Sequence, residues 1–367
     1  MYNLKNMKTA ILKHIRILFA LVLIVSLLIT QACSVNTKSN ISSSETSELN
    51  SSNENSSQAA DLSPFNYETG NHYQSNLLKS VVSDAAIKAA YDVIDAFIEH
   101  KTSVKVEFEG HYGAFTEELG FVLSCIYPPF AACAEYNAIK AYNEKDGTVS
   151  WKYKYEKSVC DEMQSACEKV TENYMSKLRQ GDNDTEKALL LYNALISNAV
   201  YDYDVLLIDT EKEYETFDKR TTAYNALVNK SGICYSYSFA LVYLYMRAGI
   251  NCITVSSQEG EGAHMWVMVD LDGKYYYIDP TWDIGGGFYH FGMTSQDRAS
   301  WAGAYAEDTC FAFTTPISGN YVLDSERFFD MRSYILADGF YNIELDREKN
   351  QAVISNDSVT YRLDCQN

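Results

Sequence analysis

The sequence predicts an α+β fold in which a cysteine-led helix packs on an antiparallel sheet, with a helical and mixed region before it and small strands after it. Three observations predict this. Residues 231–250, "SGICYSYSFALVYLYMRAGI", pass from a Gly-x-Cys start into an apolar run of helical length that closes on Gly249. Residues 251–282 then hold three alternating stretches, two of them joined by an Asp-Gly pair, Asp272 and Gly273, which supplies the positive φ angles of a tight hairpin. Upstream of both, apolar residues recur at helical spacing between short alternating segments.

The elements follow in order. "SDAAIKAAYDVIDAFIEH" (83–100) reads as a helix capped by Ser83 or Asp84, and "TSVKVEFEG" as a strand ending at Gly110. "FTEELGFVLSCIYPPF" predicts a helix stopped at Pro128 and Pro129, because proline clashes with the preceding turn. "GTVSWKYKYE" alternates as a strand, and a long helix is expected over 158–180. Gly181 breaks it, and a helix recapped near Asp184 or Thr185 leads into the Tyr- and Asp-rich stretch 201–204. A helix over 222–228 and a turn at 230–232 precede the cysteine-led helix, expected over 234–248. Strands are expected in "NCITVSSQ", "HMWVMVDL" and "KYYYIDPTW", and after the glycine run 285–287 small ones in "GFYNIEL" and "SVTYRLD".

The N-terminus reads as an export signal. Lys5, Lys8, Lys13 and Arg16 precede the apolar run "ILFALVLIVSLLI" (17–29), too short for a comfortable membrane span. "TQAC" then ends at Cys33, which suits lipidation of a bacterial lipoprotein, although Thr30 and Gln31 stand where such signals carry Leu and a small residue. The expectation is a lipid anchor on the extracytoplasmic face of the cell membrane, with plain secretion the alternative. Residues 34–62, rich in Ser and Asn, cannot bury enough apolar surface to fold and read as a tether. The chain therefore divides into a signal (1–33), a tether (34–62), a helical and mixed region (63–180), a core (181–295) and an extension (296–367).

With 30 basic against 49 acidic residues, net −19, the chain lacks the concentrated Lys and Arg that bind phosphate, so nucleic acid is not an expected partner. The chain has nine cysteines. Setting aside Cys33 and Cys234 leaves Cys125, Cys133, Cys160, Cys167, Cys252, Cys310 and Cys365, an odd set that cannot pair completely. Cys160 and Cys167 stand two helical turns apart, ~10 Å of rise, too far for a bridge. No spacing fits a zinc ribbon or finger, no HExxH occurs, and neither a metal nor a cofactor is expected.

Cys234 alone reads as a buried thiol, His264 as a packed histidine and Asp279, before Pro280, as a turn former. Their joint placement points to nucleophilic chemistry. A helix N-terminus favours a sulfur anion, an imidazole stabilises it and later protonates a leaving group, and a carboxylate orients the imidazole. Pairing across the 272–273 turn sets His264 opposite Thr281, with Asp279 the diagonal neighbour on the same face. Asp283 shares that register but lies beyond Pro280. The oxyanion site requires the Cys234 backbone N–H and a second donor, for which Tyr224 and Tyr237 are candidates. Trp266 shares His264's strand face and is placed to shield the pair, while Gly232 permits close approach and Tyr235, Ser236 and Tyr237 are candidate cleft walls.

The motifs "YNALISNAVYDYD", "TTAYNALVN", the Gly-x-Cys helix start and "AHMWVMVDLDGKYYYIDPTWD", over about 185–283, resemble the bacterial transglutaminase-like superfamily. The resemblance implies a papain-like core with catalytic Cys234, His264 and Asp279 and a protein or peptide substrate. It covers both hydrolysis and amine transfer through a thioester, and for a surface-tethered protein hydrolysis of extracellular or envelope peptides is slightly favoured. The alternative is an inactive, surface-tethered peptide-binding module. Oligomeric state is not legible.

Overall fold

The computed structural model describes residues 61–366 apart from 68, 108–111, 136–141, 144–145, 210–211, 258–263, 303–307, 311–320 and 336–340. The export signal, Cys33 and nearly all of the Ser/Asn-rich tether lie outside the described residues. No helix among the described residues is long and apolar enough to cross a membrane.

Helix α1 (Asp84–Ile98) starts where Ser83 accepts the Ala86 N–H, as the sequence suggests. Helix α2 spans Tyr112–Ile126 and stops before the two prolines as expected, and an unexpected short helix α3 (Pro128–Cys133) begins on them. Proline's fixed φ suits the first helical turn, where its missing N–H costs nothing, so the pair restarts the helix. The expected strand through Trp151 is two short ones, Thr148–Ser150 and Lys152–Tyr153, which pair with different partners. Helix α4 runs over Lys157–Met175 and α5 over Asp184–Ile196. The cap of α5 is Asn183, one residue before the expected position, with Glu186 completing the reciprocal capping box.

A two-residue strand β1 (Val200–Tyr201) pairs in parallel with β2 (Ser231–Gly232). Between them the expected helix over 222–228 is a wide π turn, Asn225–Asn229, closed by Lys230 at φ 58°. Helix α6 (Cys234–Arg247) follows and ends at Gly249, φ 76°. From Ser236 to Arg247 it is buried on every side, which fits its near-continuous apolar sequence. It packs on β3 (Cys252–Ser257) and β4 (His264–Leu271). β4 turns through Asp272 (φ 55°) and Gly273 (φ 83°) into β5 (Lys274–Ile278). Lys274 faces Leu271 and Ile278 faces Val267, the pairing the tight turn predicts. Past helix α7 (Ser295–Ala302), β6 (Asp308–Cys310) completes an antiparallel sheet in the order β5-β4-β3-β6.

The buried hydrophobics of residues 73–178 and those of α5, α6 and the sheet form one continuous cluster. The leading region therefore shares the core rather than packing by itself. A separate meander of β7 (Asn342–Asp346), β8 (Gln351–Ser355) and β9 (Thr360–Asp364) ends the chain. β8 lacks the aromatic alternation that marked its two neighbours in the sequence.

Candidate active site

Helix α6 begins at a crowded point. A Cβ on Gly232 would lie 2.5 Å from the Ser236 Cβ, so only glycine lets the chain pass. The Ser236 hydroxyl accepts the Ile233 N–H at 3.2 Å and donates to the Thr221 carbonyl at 2.8 Å, tying the first turn to the preceding loop. Cys234 sits on that turn and is half-buried, whereas Cys125, Cys133, Cys160, Cys167, Cys252 and Cys365 are buried and outside any disulfide. Cys310 ends β6.

His264 opens β4, with its imidazole Nε2 2.6 Å from Asp279 Oδ2. The side chains are 11% and 0% exposed. Asp279 follows the last residue of β5, and its Oδ1 accepts the Thr281 N–H at 3.1 Å. Burial disfavours the charged imidazole, but the Asp279 carboxylate, and after it the hydrogen-bonding Cys234 thiol, outweigh burial and push His264 up to about 9. Burial likewise opposes the carboxylate, and His264, Arg298 and His290 overcome it, so Asp279 lies below its ordinary value. With Nε2 committed to Asp279, Nδ1 is the nitrogen that remains for the sulfur.

Two indoles and a guanidinium surround this pair. Trp266, buried, lies near-parallel to His264 with centroids 6.0 Å apart, on the same strand face as the sequence predicts. The Arg298 guanidinium of α7 sits 3.9 Å over the Trp266 ring. Trp282, 52% exposed, brings its indole Nε1 to 3.1 Å from His264 Nε2. One nitrogen cannot donate to a carboxylate and accept from an indole at once. While the imidazole is charged its Nε2–H goes to Asp279, and Trp282 lies across the solvent side of the pair.

Asp283 does not join His264. Its Oδ1 is 2.7 Å from His290 Nδ1, and its Oδ2 accepts from the His290 N–H and, at 2.7 Å, from the Tyr192 hydroxyl. That hydroxyl also lies 3.0 Å from the Asp279 carbonyl, and the Asp279 N–H donates to the His290 carbonyl at 3.0 Å.

The expected oxyanion donors are elsewhere. Tyr224 stands just before the π turn, beside Cys167, Cys133 and Tyr155, and burial pushes its phenol up to about 12. It lies against α4. Tyr237 is fully buried one turn into α6, and its hydroxyl donates to the Val200 carbonyl at 2.7 Å and accepts the Val200 N–H at 3.0 Å. Ser236 is also buried, so neither forms a cleft wall. Tyr201 on β1 is the phenol that lies near Cys234, and burial, then the neighbouring Cys234, raises its value well beyond the ordinary 10. Tyr192, Tyr201, Trp282, His290 and Arg298 carried no signal that separated them from ordinary aromatic and charged positions. Among the described residues, no group of His, Cys, Asp and Glu could hold a metal ion.

Residues 172–280 match the family described as the Transglutaminase-like superfamily. No curated protein matches the chain. Similar solved structures include a TGase (12% identity, 49% of this chain and 46% of that one, TM-score 0.30) and a proposed cysteine protease from Cytophaga hutchinsonii (13%, 35% and 43%, 0.23). A proposed protease from Parabacteroides distasonis is also similar (13%, 38% and 30%, 0.24). This chain spans less than half the length of each.

Proposed function

We propose that this chain, a transglutaminase-like superfamily protein by its domain over residues 172–280, uses Cys234, His264 and Asp279 as a catalytic triad on amide bonds of proteins or peptides outside the cytoplasm. The observation that carries the reading is the buried 2.6 Å His264–Asp279 pair, with the Cys234 thiol in hydrogen-bonding contact with the same imidazole at a helix start. The sulfur anion attacks an amide carbonyl carbon, the C–S bond forms and the carbonyl electron pair moves to oxygen. On collapse the C–N bond breaks and the imidazolium passes its Nδ1 proton to the departing amine, leaving a thioester. Water or a second amine, deprotonated by the now neutral imidazole, then attacks the thioester.

Hydrolysis is slightly favoured over amine transfer. Cys234 is half-buried and Trp282 half exposed, so water reaches the thioester, whereas amine transfer needs water kept out. The lipid anchor at Cys33 would hold the enzyme at the extracytoplasmic membrane face, where envelope peptides are the accessible amides. The test offers the purified protein a peptide library with and without a labelled primary amine and analyses products by mass. Cleavage lost in Cys234→Ala supports hydrolysis, and amine incorporation lost in the same variant moves the reading to transfer. Products that persist in that variant, or none from the parent protein, overturn the catalytic reading.

A further inference from the structure

Two of the buried cysteines meet where α3 runs onto the start of α4. Cys133 ends α3, and Lys154 holds that end twice: its N–H donates to the Cys133 carbonyl at 2.7 Å and its ammonium to the Ala131 carbonyl at 2.9 Å. The antiparallel pairing of Ala134–Glu135 with Lys152–Tyr153 continues the same register, so Cys133 stands beside Lys154, just ahead of α4. Cys160 lies in the first turn of α4, and its thiol points back to the Tyr155 carbonyl at 3.6 Å. The Cys133 Sγ lies 3.6 Å from the Met163 Sδ, and Met163 follows Cys160 by one turn on the same helix face. Both cysteines are buried, and their thiols are in hydrogen-bonding contact with each other. Cys167, two turns beyond Cys160, turns to the Tyr243 hydroxyl instead. The Cys252 and Cys365 sulfurs rest on the Val242 and Leu363 carbonyls, in the sheet and the final meander.

We propose that Cys133 and Cys160 close a disulfide as the chain folds outside the cytoplasm, a covalent staple between the end of α3 and the first turn of α4. This rests on the export reading of the N-terminus and is independent of the catalytic one. The thiolate of one cysteine attacks an external disulfide, that of glutathione or of an oxidising protein, and one external thiolate leaves. The second cysteine attacks the mixed disulfide, the Cys133–Cys160 S–S bond forms and the other external thiolate leaves. Two electrons and two protons pass from the protein to the external disulfide, which becomes two thiols. Burial pushes both thiols up, so the closed fold holds little thiolate and the exchange belongs to the folding chain. Helix α4 backs the π turn that leads to Cys234, so the staple ties the leading region to the part of the core that carries the nucleophile.

The test reads the bond in two preparations of the full chain. Cells expressing it are treated with N-ethylmaleimide before lysis and fractionated; separately, the purified protein is reduced in urea and refolded in a mixture of reduced and oxidised glutathione. Both are digested without reductant and analysed by mass. A peptide pair joined through Cys133 and Cys160 should appear in the exported chain and in the refolded one. Reducing the bond should raise the unfolding constant in urea by about 10²-fold, the effect typical of a loop of this size, while reductant should leave the double variant Cys133→Ala, Cys160→Ala unchanged. Exported or refolded parent protein with N-ethylmaleimide or glutathione on both cysteines, or with either joined to a different cysteine, overturns the pairing. A chain recovered only from the cytoplasmic fraction sinks the export reading, a result distinct from the refolding outcome.

Discussion

Asp279→Asn tests the electrostatics of the site most directly. The substitution keeps the size and shape of a side chain that is wholly buried, and removes the charge that sustains the imidazolium. His264 stands at about 9 against an ordinary 6.5, and the opposing burial remains when the carboxylate is gone. Its titration should therefore fall from about 9 toward the ordinary 6.5, with only the Cys234 thiol left to oppose burial. That difference corresponds to about 3 kcal/mol between the two protonation states. Because the folded value is raised, the stabilisation is whole below about pH 6.5 and is lost as the pH climbs through about 9. Asp279's own share has the opposite sense: its folded value is lowered, so it is whole above the ordinary 3.8 and lost as the pH falls through the folded value. The assay is an NMR titration of the imidazole Cε1 proton, assigned with His264→Gln, beside urea unfolding at pH 6, 7.5 and 9.5. The parent should lose stability relative to Asp279→Asn between the last two. A parent imidazole titrating near 6.5, or a variant still titrating near 9, refutes the reasoning.

Other expectations concern the surroundings. Iodoacetamide at neutral pH should label Cys234 ahead of the six buried cysteines, and His264→Ala should slow that labelling by about tenfold or more, since one displaced charge interaction of 1.4 kcal/mol is already tenfold. Labelling spread evenly over Cys234 and Cys365 would count against it. Gly232→Ala forces a Cβ against Ser236 and should cost about 1–3 kcal/mol, read as a lowered Tm together with slower Cys234 alkylation. Arg298→Met removes the cation over Trp266, worth about 2 kcal/mol when desolvated, and a charge that helps hold Asp279 ionised. The midpoint of acid unfolding should rise, and an unchanged midpoint would sever Arg298 from Asp279. Tyr192→Phe removes the hydroxyl shared by the Asp279 carbonyl and the Asp283 carboxylate. If that hydroxyl aims Asp279, the His264 titration should drop below about 9; a lower Tm with the titration in place would make its role one of packing alone.

The sheet and the helix that meet at the site were legible because each rests on short-range rules. The Asp272–Gly273 turn sets the hairpin register, and that register sets which residues share His264's face. The start of α6 at Cys234 follows from Gly232 and the apolar run after it. What failed to be legible depends on contacts distant in sequence. Tyr224 and Tyr201 are both tyrosines in Tyr/Asn/Asp-rich stretches upstream of Cys234, and nothing local tells which one turns toward it. Tyr224, just before the π turn at 225–229, meets α4, and the parallel pairing of Val200–Tyr201 with Ser231–Gly232 brings in Tyr201 instead. Parallel pairing across thirty-one residues of chain leaves no periodic trace. The prolines at 128–129 stop α2 as the sequence indicates, and the short helix that restarts on them went unread because the same residue that stops one helix can start the next.

The choice between the two carboxylates after β5 shows how the site gains its direction. Register alone allowed either Asp279 or Asp283 to reach His264, because both lie in the same alternation. β5 ends at Ile278, so neither is aimed by a continuing ladder. The loop itself must settle which carboxylate faces the imidazole, and it does so with a second buried pair. Asp283 is claimed by the His290 ring and N–H and by Tyr192, and the same loop returns the His290 carbonyl to the Asp279 N–H. A buried carboxylate needs several partners to remain there, and once His290 and Tyr192 supply them Asp283 gains nothing by turning to His264. Its anchorage fixes both ends of the 279–290 loop, leaving the Asp279 side chain one productive orientation. The Thr281 N–H holds one oxygen and the other meets His264 at 2.6 Å. The second pair thereby determines which acid the imidazole meets.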